Sequence, residues 1–283
     1  MRTRFAPSPT GPLHLGHAYS AMLASDLAAS AGGTFLLRIE DIDQGRARPQ
    51  WEAQIYEDLH WLGLEWPEPV MRQSERLAEY RAALELLWRR GLLYPCTCRR
   101  RDILEAASAP QEGGEPVYGP DGIVYPGTCR GVPRTGALPA DALRLDMRRA
   151  LQGIDTIEFT EIGAGPDGES GRISLSPEAL VTGVGDIVVA RRDMGTSYHL
   201  SVVVDDAAQS ITHVVRGRDL FEATSIHVVL QRLLGLPTPL YHHHKLIRDA
   251  DGKRLAKRDD ARAIATYRAE GLTPDDIRAM VGL

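Results

Sequence analysis

Cysteine is scarce, with three in 283 residues. A low and odd count argues against a secreted disulfide framework and leaves metal binding, catalysis or core packing. Long hydrophobic runs are also missing. No stretch approaches the roughly 18 uninterrupted apolar residues that a membrane span needs, and the longest, such as Val202 to Val204, stop at charges. Pro7, Pro9, His14, His17 and Asp26 interrupt the N-terminal region, so no continuous signal-peptide core is present. Positive charge is not in excess: 33 Lys+Arg stand against 38 Asp+Glu, a formal net charge of −5. That balance excludes a protein that coats nucleic acid by charge alone, so any contact with nucleic acid must be a local patch. The expectation is a soluble, cytoplasmic chain without a membrane partner. At roughly 100 to 200 residues per domain, its length allows one large domain or two.

What is present alternates. Thr3 to Phe5 reads as a short strand, followed by a Pro/Gly loop and a helix carrying Leu15, Ala18, Tyr19, Met22, Leu23 and Leu27, which Gly32-Gly33 ends. Thr34 to Ile39 is a second strand. Trp51, Ile55, Leu59 and Leu62, then Leu77, Tyr80, Leu84, Leu87 and Trp88, recur at helical spacing. Strand and helix in alternation predict an α/β fold with a parallel, Rossmann-type sheet. From Cys96 to about Gly185 the texture changes, and residues 110–139 are rich in Gly and Pro without helical period. This segment reads as an insertion that splits the sheet. Residues 1–95 form the first half, 96–185 the insertion and 186–283 the second half. In the second half Ile187 to Ala190 and Ile211 to Val215 read as strands and Ala223 to Leu234 as a helix, with Tyr198 to Val204 ambiguous.

The segment from Ala6 to His17 sits where a strand hands over to a helix. A helix N-terminus offers unpaired N–H groups and a positive dipole end, so phosphate is favoured there. His14 and His17, three apart, share one face of the first turn, and Gly16 lets a flat base approach the backbone. By itself the segment is equally a proline-stiffened loop with two exposed histidines. Residues 245–262 hold seven basic residues, Lys245, Arg248, Lys253, Arg254, Lys257, Arg258 and Arg262, against four acids, Asp249, Asp251, Asp259 and Asp260. The local excess favours phosphate over a neutral surface. Cys96 and Cys98, one residue apart, followed by Cys129, match the knuckle spacing of a tetrahedral zinc site. His242, His243 and His244 leave only His242 and His244 on one strand face, with no carboxylate partner evident. Asp205-Asp206 is read as a solvated helix end in preference to a Mg²⁺ site.

Arg4-Phe-Ala-Pro-Ser-Pro-Thr-Gly with His14-Leu-Gly-His17 resembles the "HIGH" signature of class I aminoacyl-tRNA synthetases, in their glutamyl and glutaminyl branch. Arg38-Ile-Glu-Asp-Ile-Asp43 is similar to that branch's second-strand motif, and Arg254-Leu-Ala-Lys257-Arg258 to a "KMSKS" loop that keeps its second lysine and lacks both serines. The resemblance implies that His14, Gly16, His17 and Lys257 bind ATP, which arrives with Mg²⁺, and that His14, His17 and Lys257 serve the reaction. It implies that Arg4, Phe5, Ala6, Pro7 and Ser8 contact L-glutamate, that Glu40 takes its ammonium and that Tyr198 and Arg216 complete the pocket. Tyr125 stands four before Cys129, where shorter glutamyl-like synthetases carry a tyrosine ligand; it is the implied fourth ligand of one structural zinc, with His or water as alternatives. About 25 residues follow the "KMSKS"-like loop, so no anticodon-binding domain is expected. The short length, the cysteine and tyrosine pattern and the glutamate motifs resemble the glutamyl-queuosine tRNA(Asp) synthetases. In that family glutamate is activated without tRNA, then placed on the cyclopentene-diol of queuosine in the anticodon loop of tRNA(Asp). A monomer is expected. Two alternatives stay open: a truncated glutamyl-tRNA synthetase that charges the tRNA 3′ end, and a non-catalytic tRNA-binding module whose "KMSKS" has decayed.

Overall fold

The computed structural model describes residues 1–108, 115–132, 136–247 and 262–283. β1 (Arg2–Phe5) leads through a Pro/Gly loop to α1 (Leu15–Ser30), and β2 (Thr34–Ile39) returns parallel to β1, with Arg2 opposite Thr34 and Phe5 opposite Leu37. α1 buries Leu15, Tyr19 and Met22 together with Ala18, Ala21, Ala24 and Ala28. The small residues let the helix lie close to the strands. α2 (Pro49–Trp61) begins with proline in its first turn, where a missing N–H costs nothing. β3 (Met71–Arg72) adds a parallel edge beside β2, and α3 (Leu77–Arg89) buries Tyr80, Leu84 and Leu87 at the expected helical spacing.

The segment after β4 (Leu93–Pro95) is built from short pieces. They are α4 (Arg100–Ala107), the two-strand hairpin β5 (Tyr118–Gly119) and β6 (Gly122–Ile123), β7 (Leu143–Leu145), α5 (Met147–Ala150), β8 (Ile157–Glu161), β9 (Gly171–Leu175), α6 (Pro177–Gly183) and β10 (Val188–Ala190). β7 lies between β4 and β10 and is antiparallel to both. Then come α7 (Tyr198–Ala208), β11 (His213–Gly217), α8 (Thr224–Leu234), β12 (Leu240–His244), α9 (Ile264–Ala269) and α10 (Pro274–Val281).

The ambiguous run after Tyr198 is helical. Ser197 caps it, its Oγ accepting from the Leu200 N–H at 3.4 Å, and Leu200, Val202 and Val203 are buried between neighbours on more than one side. A helix covered all round loses its polar stripe, which is why period alone left it undecided.

β11 and β12 are parallel, and Arg216 stands opposite His243. β12 is parallel to β8 at Tyr241 and Glu161, so the β8–β9 hairpin, though inside the stretch expected as an insertion, extends this second sheet. The two halves meet where the Thr212 N–H donates to the Arg2 carbonyl at 3.0 Å. β1, β2, β11 and β12 therefore end on a common side of the molecule. Crevices outside the carboxyl ends of parallel strands, where strand order reverses, are where α/β sheets bind ligands.

Candidate active site

At that edge lies a cleft of about 320 Å³, lined among others by Arg4 and Phe5 from β1, Ala6 just after it, His14, Gly16 and His17 from the start of α1, Glu40 after β2, Tyr198 from α7 and Arg216 from β11. Nine sequence-predicted residues thus line one space, and Pro7 and Ser8 do not. The Pro7 carbonyl accepts from the Glu40 N–H at 3.0 Å, while Ser8 is exposed. Lys257 lies outside the described residues. The described flanks of its segment converge on the cleft: Leu246 and Ile247 line it, the Ile264 N–H donates to the Leu13 carbonyl at 2.9 Å, and Ala263 bridges His14.

The two histidines divide the helix start between them. His14 is the N-cap with extended backbone, φ −129°, and His17 is the third helical residue. The Gly16 N–H donates to His14 Nδ1 and the His14 N–H to His17 Nδ1, each at 3.1 Å, and the ring centroids lie 3.8 Å apart. Since both Nδ1 atoms accept, each neutral ring carries its proton on Nε2. The helix start therefore presents imidazole donors to an anion in addition to its backbone dipole.

Against the wall of the cleft lies a buried charge cluster. Arg4 donates to Asp206 through Nε at 3.0 Å and Nη2 at 3.3 Å; Arg38 donates to Asp206 at 2.7 Å, to Gln209 at 2.9 Å and to Glu40 Oε1 at 3.1 Å. Burial alone would raise the Asp206 carboxyl, but Arg4 and Arg38 outweigh it and hold it below the usual range. Glu40 goes the other way, its burial prevailing over Arg38 and Arg4 and raising it. An incoming ammonium would restore the charged form of Glu40, the third opposite charge it meets. Arg216 is 6% exposed and held by His243, His227, Thr224 and the Leu220 carbonyl. Tyr198 packs its ring 5.7 Å from that of His227, and burial raises its hydroxyl pKa. Two guanidiniums, one carboxylate and one phenol beside paired imidazoles can hold a dicarboxylic amino acid next to a phosphate.

Away from the cleft, Cys96, Cys98 and Cys129 hold their sulfur atoms within 4.8 Å of one another. Cys98 and Cys129 sulfurs are 3.5 Å apart, and Tyr125 Oη lies 3.2 Å from Cys98 Sγ and 3.6 Å from Cys96 Sγ. A zinc–sulfur bond of about 2.3 Å sets tetrahedral sulfurs about 3.8 Å apart, so the donor set can bind a metal. Arg144 donates to Cys96 Sγ at 3.3 Å and stacks 3.9 Å over the Tyr125 ring, a positive charge where deprotonated donors would gather negative charge. Burial pushes the Cys98 thiol up to about 11. For Cys129 burial is outweighed by hydrogen bonds, that of Tyr125 foremost, and its thiol falls to about 6.

Two expectations need correction. Asp205 and Asp206 are not a solvated helix end: both are buried in α7, Asp205 accepting from Gln73 at 2.8 Å, Arg76 at 2.7 Å and Tyr80 at 2.7 Å. The histidine run does have a carboxylate nearby, for His243 Nδ1 lies 2.5 Å from Glu161 Oε2 across β12 and β8. Sequence reasoning also left Arg38 without a role. Its signal was available, since Arg38 and Glu40, two apart at the end of a strand, share a face. Asp206 had no such local signal. Among the described residues no helix is long and apolar enough to cross a membrane.

Comparison with known proteins gives consistent results. Residues 1–118 and 162–283 match the family model for the catalytic domain of class I tRNA synthetases (E and Q). The chain is 65% identical over 288 residues, covering all of both chains, to the glutamyl-Q tRNA(Asp) synthetase of Rhodobacter capsulatus. It is 44% identical to the protein of the same name from Symbiobacterium thermophilum, over 97% of this chain and 83% of that one. Among solved structures, a glutamate tRNA ligase from Elizabethkingia meningosepticum in complex with its amino acid superposes with a TM-score of 0.76 at 28% identity. That likeness takes in 100% of this chain but 60% of the other, so the chain spans about three fifths of that ligase's length.

Proposed function

The chain belongs to the class I tRNA synthetases of the glutamate and glutamine branch, and we propose that it activates L-glutamate with ATP, without tRNA, and passes the glutamyl group to queuosine of tRNA(Asp). In the first step a glutamate α-carboxylate oxygen bonds to the α-phosphorus, the bond from that phosphorus to the bridging oxygen breaks, and pyrophosphate leaves. In the second a queuosine hydroxyl oxygen bonds to the glutamyl carbonyl carbon and loses its proton as AMP departs. The observation that carries this reading is the convergence of Arg4, Glu40, Tyr198 and Arg216 with His14 and His17 in one cleft. Glutamate brings two carboxylates and one ammonium, and these side chains match that inventory sign for sign. Two anions must approach each other in the first step, so fixed donors aimed at the phosphates lower the barrier. His14 and His17 supply two of them, and Lys257 and the Mg²⁺ carried by ATP supply further positive charge.

Glutamate-dependent exchange of pyrophosphate into ATP tests the proposal. Exchange should proceed with no tRNA present, and Lys257→Ala should slow it about a hundredfold, the scale of one preorganised charge. A strict requirement for tRNA, or full activity in the variant, would count against these assignments.

The same proposal gives one zinc to Cys96, Cys98, Tyr125 and Cys129. When bound, the ion would supply structure and no chemistry to the cleft, tying together short elements of the 96–185 insertion that have a small core of their own. Metal analysis of the purified chain should find about one zinc per chain, and Cys98→Ser should lose it and expose the 96–129 segment to protease. Zinc retained in that variant would refute the ligand set. Tyr125→Phe, which removes the ligand oxygen while keeping the ring under Arg144, should weaken zinc without abolishing folding.

A further inference from the structure

Arg216 is set within a chain of buried hydrogen bonds that the reaction itself does not require. Its Nε donates to His243 Nε2 and its Nη1 to His227 Nδ1, each at 3.0 Å, while Nη2 donates to Thr224 Oγ1 at 2.7 Å and the Leu220 carbonyl at 3.1 Å. Arginine has donors and no acceptor. Any ring nitrogen within hydrogen-bond reach of it must therefore offer a lone pair, and both tautomers follow. His243 carries its proton on Nδ1 and donates it to Glu161 Oε2 at 2.5 Å; His227 carries its proton on Nε2 and donates it to His199 Nδ1 at 3.1 Å. With its Nδ1 accepting, His199 donates from Nε2 to Asp121 at 3.4 Å. Polarity thus runs outward from Arg216 on both sides and ends on carboxylates, Glu161 on β8 and Asp121 in the β5–β6 turn.

We propose that His243 and His227 are positioning residues that, as neutral acceptors, aim the Arg216 guanidinium into the cleft, so that glutamate affinity is lost when either ring takes a proton. The proposal rests on the glutamate reading of the cleft. A second proton on His243 would set an N–H against the Arg216 Nε–H, and a second proton on His227 would do the same against Nη1. Donor would face donor beside a fixed cation, and the guanidinium would have to turn away. The groups facing His243 are Glu161 and Arg216 with Thr224 Oγ1, the ring of Phe221, and Tyr241 and His242 of its own strand; those facing His227 are Arg216, His199, Tyr198, Arg4 and, more remotely, His243. Burial, with the charge of Arg216, keeps both rings below the ordinary imidazole range, and the neighbouring acid Glu161 does not reverse this for His243. Glu161 itself is committed elsewhere, its Oε1 accepting from the N–H groups of His243 at 2.9 Å and Gly163 at 2.8 Å.

Two measurements on the full chain test this. Side-chain ¹⁵N NMR without substrate should find both rings neutral at neutral pH, His243 protonated on Nδ1 and His227 on Nε2. Exchange kinetics should give a KM for glutamate that is level through neutral pH and rises only in acid, on the low side of the ordinary imidazole range, with kcat much less affected. His243→Leu removes the acceptor and should raise KM about ten- to a hundredfold, the scale of a charged donor left unpaired. His243→Gln supplies a carbonyl oxygen to Arg216 and an amide to Glu161 without titrating. It should recover most of the wild-type KM and flatten the acid rise. An imidazolium or the opposite tautomer at either ring, a glutamine variant no better than leucine, or a KM indifferent to pH overturns the proposal. A wild-type chain that exchanges no pyrophosphate with glutamate would sink the activity instead, and the ring tautomers would still decide the arrangement around Arg216.

Discussion

Asp206→Asn is expected to lower the stability of the fold by about 3–5 kcal/mol, the cost of removing one partner from a buried ion pair, and to abolish glutamate-dependent exchange. One carboxylate serves two guanidiniums here. Arg4, Asp206 and Arg38 have side chains 7%, 8% and 0% exposed, so water cannot take over the role of the lost charge. Asparagine keeps the shape but turns one oxygen into a donor, which would face Arg4 or Arg38. Both arginines then lose their fixed direction, and with them go Arg4 in the cleft and Glu40, which Arg38 holds at 3.1 Å. Denaturant unfolding reads the first effect and pyrophosphate exchange the second. The sign of the pH dependence follows from the same contacts. Arg4 and Arg38 depress the Asp206 carboxyl in the folded chain despite its burial, so its contribution is present above the unfolded value of about 3.9 and is lost as pH falls through the folded one. The gap between wild type and variant should therefore close in strong acid. A difference under about 1 kcal/mol near neutral pH, the size of an exposed pair, would mean that this cluster does not hold the cleft together.

Transfer RNA(Asp) that lacks queuosine is expected to take up no glutamate, whereas tRNA(Asp) that carries queuosine but lacks its 3′-terminal adenosine is expected to take it up normally. The cyclopentene ring of queuosine offers a cis-diol like the 2′,3′-diol of a terminal ribose. A cleft that accepts one can accept the other with little change, so the activated glutamate does not by itself select the acceptor. Selection falls to the RNA: an unstacked loop base can be turned out into a pocket and held by stacking and edge hydrogen bonds. Acid-precipitable labelled glutamate, followed by mass analysis of the nucleosides, distinguishes the outcomes. Label on the 3′ end of the queuosine-free sample would identify a conventional charging enzyme.

Patterns confined to a few neighbouring residues were legible from the sequence. α1, α2 and α3 follow their apolar periods, β2 its apolar run, and the histidine pair its three-residue spacing at a helix start. The three cysteines announced a shared site because thiols one residue apart can reach a common point wherever the rest of the chain goes. Arg38 and Glu40 could have been paired by the two-residue repeat of a strand. The surroundings of these residues were not legible, because they depend on partners distant in the chain and on register. Asp205-Asp206 looks like a polar helix end in one dimension; it is buried because Arg4 and Arg38 arrive from β1 and β2, Gln73 and Arg76 from the turn before α3, and Tyr80 from α3 itself. His243 stands opposite Arg216 only in the parallel register of β11 on β12, and it meets Glu161 only because the β8–β9 hairpin joins that sheet. A slip of one residue would turn each of these side chains to the other face. The sequence by itself determined the elements with a clear apolar period and the spacing of the histidine pair and the cysteines, since local sterics and hydrophobic period decide those, but it left α7 undecided. The tertiary structure alone decided which buried charges face one another, because a charge can leave water only where a partner from elsewhere in the chain is already in place.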